Sequence, residues 1–221
     1  MTVPHHLAVI PDGNRRWARS QNLHPSEGHR AGIANAGPIA SAAWESGVTV
    51  FSFWWGSPAN LMGRDPDEVR VIIDVLNAWL SDIAPALLQQ WNASFDIFGR
   101  WKELAPGIAD GVAAARAGAG TGPRRLVLLM AYDGREEIAA AAATGPASVE
   151  ELAAELWTAS LPPVDLILRT AAEPHLSAGF LLWHIAEAQL TFVDPPWPAC
   201  TPADLADALD EFAKRERRFG R

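Results

Sequence analysis

The chain has one cysteine, an excess of acidic over basic residues, and no long apolar run. The lone Cys200 excludes an internal disulfide framework and fits a reducing, cytoplasmic environment. The formal net charge of −8 argues against a protein that binds nucleic acid or an anionic membrane by bulk electrostatics. No run approaches the ~18 apolar residues of a membrane span, and the N-terminus lacks the apolar core of a signal peptide. A site for a phosphorylated ligand would therefore need a local cluster of arginines.

Apolar residues, by contrast, are plentiful. They make up 49% of the 221 residues, which is ample for a packed core. No motif boundary or flexible linker divides the chain, so residues 1–221 are predicted to form a single domain. The ten tryptophans indicate large flat surfaces inside the protein, which suit a hydrocarbon ligand and ordinary core packing equally well.

Apolar runs of strand type alternate along the chain with helical patterns. Strands are predicted over 6–10, 48–55, 95–99, 125–132 and 164–169, and a long apolar helix is predicted over 67–91. Such alternation favours a mainly parallel sheet with helices on its faces over a helical bundle or an all-β sandwich. The predicted fold class is therefore α/β, with one central sheet flanked by helices.

The loop after the first strand carries both signs of charge. It reads Pro-Asp-Gly-Asn over 11–14, and Arg15 and Arg16 then open a helix. Free backbone N–H groups at such a loop favour an anion. Asp12 would repel that anion unless a divalent cation lay between them, so a diphosphate with Mg²⁺ reconciles the two. The alternative is an ordinary turn with an aspartate cap.

A second candidate anion site follows the strand that ends at Arg169. Its loop contains His175 and Ser177, and a guanidinium beside a hydroxyl is a suitable ligand for phosphate. The strand over 48–55 is likewise followed by polar residues at the edge where open α/β sheets bind ligands, namely Ser57, Asn60 and Arg64. Residues 65–68 are ordinary helix-start signals and are given no functional role.

Together these segments resemble the cis-prenyltransferases, the family of undecaprenyl diphosphate synthase. The resemblance rests on IPDGNRRWA followed by EGHRAG, and on the later block DLILRT…E…LS…FLLW…A…L…F…WP, so that it spans nearly the whole chain. It implies a cis-prenyltransferase-like fold, prenyl diphosphate substrates and Mg²⁺. It also implies a homodimer in which the tail reaches the neighbouring subunit's site, through Arg217, Arg218, Phe219 and Gly220.

The resemblance further implies roles for particular residues. An allylic diphosphate would lie over the first loop, with Asp12 on the metal, while Arg169 and Ser177 would hold the diphosphate of the second, nucleophilic substrate. The catalytic candidates are Asp12, Asn14, Arg16, Ser57 and Asn60. The substrate-binding candidates are Gly13, Arg15, Trp17, His29, Trp55, Arg64, Arg169, His175, Ser177 and Gln189. Taken alone, a histidine such as His29 near a helix start is more often a capping or packing residue than a catalytic one.

The chain departs from the family pattern at the second-substrate and metal positions. His175 stands where the family has an arginine, Gln189 where it has a metal-binding glutamate, and Ala171 and Ala172 where it has two glycines. A neutral amide supplies no charge to offset dehydration of Mg²⁺, so the metal is expected to bind weakly or to be partly dispensable. An imidazole would make the second pocket less positive and could instead accept a proton.

Trp54 and Trp55 stand where long-chain members of the family keep small residues. A short product is therefore expected. The preferred hypothesis is a lavandulyl-type, head-to-middle coupling of geranyl or dimethylallyl diphosphate with dimethylallyl diphosphate as the acceptor. The alternatives are regular head-to-tail elongation with isopentenyl diphosphate, and a non-catalytic binding subunit.

Overall fold

The computed structural model describes residues 2–215 and contains a six-stranded sheet. In chain order the strands are β1 (His6–Ile10), β2 (Val50–Gly56), β3 (Ala93–Phe98), β4 (Arg124–Met130), β5 (Leu166–Arg169) and β6 (Gln189–Phe192). They lie in the order β3-β4-β2-β1-β5-β6, and every neighbouring pair is parallel. This arrangement confirms the predicted α/β class with a parallel central sheet.

Helices flank this sheet. They are α1 (Asn14–Ser20), α2 (Pro25–Glu45), α3 (Pro58–Gly63), α4 (Pro66–Asp82), α5 (Ala84–Trp91), α6 (Trp101–Leu104), α7 (Ala109–Ala117), α8 (Gly134–Ala142), α9 (Val149–Ala154) and α10 (Pro202–Lys214). Because successive side chains of a strand point to opposite faces, Leu7 and Val9 of β1 join the core against α2, α4, α5, α7 and α10. Ala8 and Ile10 join a smaller cluster on the other face.

The predicted helix over 67–91 is wrong in one respect, since the segment forms two helices. Helix α4 ends at Asp82, α5 begins at Ala84, and the axes differ by 42°. Pro85 lies in the first turn of α5, where its missing N–H is not needed, but it could not continue the hydrogen bonds of α4. Within residues 2–215 no single helix is long and apolar enough to cross a membrane; α4 and α5 reach that length and composition only together, across their bend.

Strand β6 was not predicted. It has four residues and lies at the edge of the sheet, and Leu190 within it is 39% exposed. A short edge strand of this kind lacks the continuous apolar run that marks the buried strands. The proline-rich segment that follows β6 nevertheless contacts the first loop, because the Trp197 N–H donates to the Asp12 carbonyl oxygen at 2.8 Å.

Glycines allow α1 to pack closely against α2. A Cβ on Gly28 would lie 2.1 Å from the Asn14 carbonyl oxygen, and one on Gly32 would lie 2.2 Å from Asn14 Oδ1. Gly13, at the start of α1, has a φ of +94°, which favours glycine. The two glycines of the segment EGHRAG therefore leave room for Asn14, at the end of the loop that follows β1, to pack against α2.

Replacing Gly32 by alanine tests this packing. We expect Gly32→Ala to lower the free energy of unfolding by about 1–3 kcal/mol, because the new methyl group overpacks the contact with Asn14. Urea unfolding followed by circular dichroism measures the change. The matched control is Gly63→Ala, whose added Cβ would meet no heavy atom within 4 Å. Equal stability of the two variants would show that α1 moves freely to accept the methyl group.

Candidate active site

A polar cavity of about 230 Å³ opens at the carboxyl ends of β1, β2 and β5. Strands β2 and β5 both pair with β1, so the loops that follow these strands meet at one edge of the sheet. Among the described residues its lining includes ten of the predicted site residues, namely Asp12, Gly13, Asn14, Arg15, Arg16, His29, Asn60, Arg64, Arg169 and Ser177. The two anion sites that the sequence predicted thus form one cavity.

The Asp12 carboxylate is bonded from several sides. Its Oδ2 accepts a hydrogen bond from Arg169 Nη2 at 2.7 Å, its Oδ1 accepts one from the Gly13 N–H at 2.5 Å, and Arg16 Nη2 lies 3.6 Å from Oδ1. Burial works to raise the pKa of the Asp12 carboxyl, but the Arg169 hydrogen bond and the other partners hold that pKa below its usual value. An ionised carboxylate that is one third exposed therefore borders the cavity.

Arg169 ties the first loop to the loop that follows β5. Its side chain is only 4% exposed, and its Nη1 donates to the His175 carbonyl oxygen at 2.6 Å and to Ser177 Oγ at 2.8 Å. Its Nη2 donates to Asp12, and its buried Nε–H has no hydrogen-bond partner within the described part of the chain. The guanidinium predicted to hold the second diphosphate is thus largely engaged by the protein itself.

Arg16 joins the same two loops at the rim of the cavity. Its Nη1 lies 2.8 Å from Glu173 Oε1, in addition to its contact with Asp12. Glu173 was not among the predicted site residues, although this carboxylate follows Arg169 by only four positions. Glu173 also lies 3.9 Å from His175 Nδ1, and the His175 side chain is 59% exposed. The His175 imidazole is therefore outside the cavity lining, and only its carbonyl group contacts Arg169.

A buried pair between His29 and Glu68 forms part of another wall. His29 Nε2 lies 3.0 Å from Glu68 Oε1, and Arg64 Nη1 lies 3.8 Å from the same oxygen. Burial lowers the pKa of His29 and outweighs the opposing effect of the Glu68 hydrogen bond, so the neutral imidazole is favoured at neutral pH. Residues 65–68 were predicted to be helix-start signals alone. The structure corrects this for Glu68, which holds both His29 and Arg64.

The backbone of the first loop is fixed from several directions. Thr170 Oγ1 accepts a hydrogen bond from the Asp12 N–H and donates one to the Asp12 carbonyl oxygen, each at 2.8 Å. Asn14 Nδ2 donates to the Pro11 carbonyl oxygen at 3.1 Å, whereas Asn14 Oδ1 is buried without a hydrogen-bond partner within residues 2–215. The loop is consequently held in place independently of any ligand.

Aromatic side chains close the apolar side of the cavity. An adjoining space of about 50 Å³ is lined by Trp54, Trp55 and Ile72 together with residues of the polar wall. The ring of Phe53 stacks on that of Trp55, with centroids 5.8 Å apart. Farther in, between the sheet and helices α2 and α4, only about 10 Å³ is open among Phe51, Phe53, Trp79, Phe95 and other apolar residues.

Three other predicted residues do not line the main cavity. Ser57 caps α3: its Oγ accepts from the Asn60 N–H at 3.2 Å, while Asn60 Oδ1 accepts from the Ser57 N–H at 3.3 Å. Trp17 lies on α1 and is partly exposed. Gln189 begins β6 beside Leu166, at the amino end of the strands, so it lies away from Asp12. The tail that contains residues 217–220 lies outside the described residues.

Asp12 is the one carboxylate in the cavity lining within residues 2–215. No group of three or more His, Cys, Asp or Glu side chains in that part of the chain could hold a metal ion. Mg²⁺, however, is commonly bound by one or two carboxylates together with substrate phosphates and water. The residues present therefore fit a magnesium ion that arrives with a diphosphate, and do not form a complete metal site by themselves.

The sequence of the chain is similar to those of known prenyl-transferring proteins. A family model described as undecaprenyl diphosphate synthase matches residues 10–220. An isoprenyl transferase of Geobacter sulfurreducens is 33% identical over 99% of this chain and 93% of its own length. The bifunctional protein CrtB/UppS of Streptomyces coelicolor is 34% identical over 99% of this chain, and the chain spans 40% of that protein's length.

Two solved structures share the fold over their whole length. Lavandulyl diphosphate synthase from Lavandula x intermedia, in complex with dimethylallyl diphosphate, superposes with a TM-score of 0.93 at 30% identity and 99% coverage of both chains. A probable undecaprenyl diphosphate synthase from Campylobacter jejuni gives a TM-score of 0.80 at 25% identity and 100% coverage of both. The family model, the relatives and the shared fold agree: the chain belongs to the undecaprenyl diphosphate synthase family of cis-prenyltransferases and is a prenyl-transferring enzyme.

Proposed function

We propose that this enzyme makes a short irregular prenyl diphosphate. An allylic diphosphate, geranyl or dimethylallyl, is coupled head-to-middle to dimethylallyl diphosphate, and diphosphate is released. The observation that carries the proposal is the small size of the apolar space beside the polar cavity: Trp54 lines both, and the adjoining space that Trp54 and Trp55 line together is only about 50 Å³. The likeness to a lavandulyl diphosphate synthase solved with dimethylallyl diphosphate supports this substrate class.

The cationic side chains of the cavity would stabilise the leaving diphosphate. Arg15, Arg16 and Arg64 line the space beside the neutral His29, and preorganised positive charge at developing negative charge is usually the largest catalytic contribution. Mg²⁺, when bound with the diphosphate, neutralises part of its charge, and Asp12 would hold the ion. Asn14 and Asn60 add amide groups to the same lining.

The coupling itself needs few protein groups. The carbon–oxygen bond of the allylic substrate breaks, its electron pair leaves with the diphosphate, and an allylic cation remains. The double bond of the acceptor then attacks the cation to form a carbon–carbon bond, and the released diphosphate takes the proton that is lost. The protein's part is to orient both substrates and exclude water, which the aromatic wall favours.

The regular alternative is head-to-tail elongation with isopentenyl diphosphate, and the isoprenyl transferase names of the relatives favour it. Against it stands the second-substrate side of the cavity. The His175 side chain is 59% exposed and lies outside the cavity lining, where the family pattern has an arginine for the second substrate. A non-catalytic subunit is disfavoured because Asp12, Asn14 and Arg16 all line the cavity.

We further propose that the enzyme is a homodimer.

Incubation of the purified chain with dimethylallyl diphosphate and Mg²⁺ tests the proposal directly. We expect release of diphosphate and formation of a branched, head-to-middle product, without any need for isopentenyl diphosphate. A diphosphate assay and mass spectrometry of the dephosphorylated product measure both. A requirement for isopentenyl diphosphate would refute the irregular coupling. Absence of diphosphate release from dimethylallyl and geranyl diphosphates, with and without isopentenyl diphosphate, would refute the enzymatic function.

Asp12→Asn tests the proposed role of the carboxylate. We expect kcat to fall by about 100-fold or more. The neutral amide of asparagine would bind Mg²⁺ more weakly than the carboxylate does, and it would not offset the positive charge of the surrounding arginines. Steady-state kinetics at saturating Mg²⁺ measure the loss. The control is Asp67→Asn, which removes a carboxylate that is 79% exposed and outside the cavity, and its kcat should stay at the wild-type value. Equal activity of the two variants contradicts the role of Asp12.

Trp55→Ala tests whether the aromatic wall limits the product. Removal of the indole opens space beside the substrate, so longer allylic donors should become acceptable and longer products should form. Product lengths obtained with geranyl and farnesyl diphosphates as donors measure this by mass spectrometry. Trp91→Ala is the control, because Trp91 is also partly buried against the same core but lies outside the cavities beside Trp55. Unchanged product length in Trp55→Ala would show that another feature sets the limit.

A further inference from the structure

Arg169 is paired with Asp12, the residue that would hold Mg²⁺ under the proposed function. Their Nη2–Oδ2 distance is 2.7 Å, and the Arg169 side chain is nearly fully buried. The guanidinium also donates to Ser177 Oγ and to the His175 carbonyl oxygen. Under the proposed function Asp12 would bind the metal ion and Arg169 would bind a diphosphate. In the structure, each of these two side chains binds the other instead.

We propose that Arg169 is the resident counter-ion of Asp12 and keeps the carboxylate closed to Mg²⁺ until the acceptor diphosphate arrives. The inference rests on the proposed function. A guanidinium and a magnesium ion compete for the same carboxylate oxygens, and placing both there would bring two cations together. The oxygens of a phosphate group can replace the Asp12 carboxylate as the partner of the Arg169 guanidinium, because phosphate and carboxylate both accept hydrogen bonds from its two parallel N–H groups. Asp12 is then free to bind the metal.

Arg169 is better suited to this role than Arg16. The Arg16 side chain is 49% exposed, lies 3.6 Å from Asp12 and makes its shorter contact with Glu173, at 2.8 Å. An exposed pair at that distance is screened by water and contributes little. The buried Arg169 lies in an environment of lower effective dielectric constant, so its charge acts more strongly on Asp12. Its Nε–H, buried without a partner within the described chain, is a further donor that a phosphate oxygen could satisfy.

Exchange of partners couples the two ligands. If the acceptor diphosphate withdraws Arg169 from Asp12, it strengthens metal binding, and by thermodynamic linkage the metal strengthens diphosphate binding by the same factor. Neither ligand alone would then fill the cavity tightly. The enzyme would assemble its metal site only when an acceptor is present, which protects a bound allylic diphosphate from ionising without a partner and reacting with water.

The first experiment measures metal binding without any diphosphate. Mn²⁺ serves as the probe, and free Mn²⁺ is followed by electron paramagnetic resonance in titrations of the full chain. We expect Arg169→Gln to bind Mn²⁺ at least tenfold more tightly than the wild type, and the matched control Arg16→Gln to change affinity by less than threefold. The double variant Asp12→Asn with Arg169→Gln should lose the gain. Equal affinities of Arg169→Gln and the wild type would overturn the inference.

Folding of each variant is checked by circular dichroism, because Arg169 is buried. If Arg169→Gln does not fold, Arg169→Lys replaces it. A lysine keeps the charge but cannot bond to Asp12 and Ser177 in the same forked geometry, so its Mn²⁺ affinity should exceed that of the wild type. An affinity equal to that of the wild type would again overturn the inference.

The second experiment measures anion binding without metal. Inorganic pyrophosphate is titrated into the chain in the presence of EDTA, by calorimetry. We expect Asp12→Asn to raise pyrophosphate affinity at least fivefold in the wild-type background, because Arg169 is released, and less than twofold in the Arg169→Gln background. An equal gain in both would mean that Asp12 acts by simple repulsion, which refutes the exchange.

The outcomes separate the two proposals. If the wild type releases diphosphate from its substrates but the Arg169 variants bind Mn²⁺ no more tightly, only the exchange is wrong. If the wild type releases no diphosphate under any condition, the proposed function is wrong, whatever the metal affinities are.

Discussion

The ion pair between Asp12 and Arg169 is the contact on which the arrangement of the site depends. It forms because β1 and β5 are neighbours in register, so that Ile10 lies opposite Arg169 and the two loops leave the sheet together. Thr170 adds hydrogen bonds to the main chain of Asp12, and Arg16 joins Asp12 to Glu173. The loops after these strands are therefore not independent binding elements. A ligand that changes the partner of one charged group changes the electrostatics of all of them.

This contact also explains how an acidic protein can hold an anionic ligand. The chain carries a formal net charge of −8, yet the described cavity lining contains one carboxylate and four arginines. The pairing of Asp12 with Arg169 reduces the repulsion among those arginines while no ligand is bound. A cavity with only positive groups would attract any anion, whereas paired charges favour a ligand that satisfies both signs at once. A diphosphate that carries a divalent cation is such a ligand.

Local patterns predicted the parts of the fold and site that depend on adjacent residues. The buried strands were recognisable from their apolar runs, and the conflict of Asp12 with its own anion-binding loop marked that loop as a site. Long-range pairing was not recognisable in the same way. Glu68 and Glu173 look like an ordinary helix start and an ordinary loop residue, and only the folded chain brings them to His29 and Arg16. The short edge strand β6 also lacked a strong local signal, whereas the break at residue 83 had one in Pro85, which the apolar spacing over 67–91 concealed.

The backbone of the loop after β5 limits how Arg169 can exchange Asp12 for a diphosphate. Ala171 and Ala172 have φ values of +67° and +52°, a left-handed conformation that costs an alanine roughly 1–2 kcal/mol. Their N–H groups donate to the carbonyl oxygens of Pro195 and Val193, each at 2.9 Å, and these bonds hold the strained residues in place. A backbone fixed in this way resists opening of the loop. The guanidinium of Arg169 is therefore expected to change partners by rotation of its own side chain, over the short distance between Asp12 and the cavity.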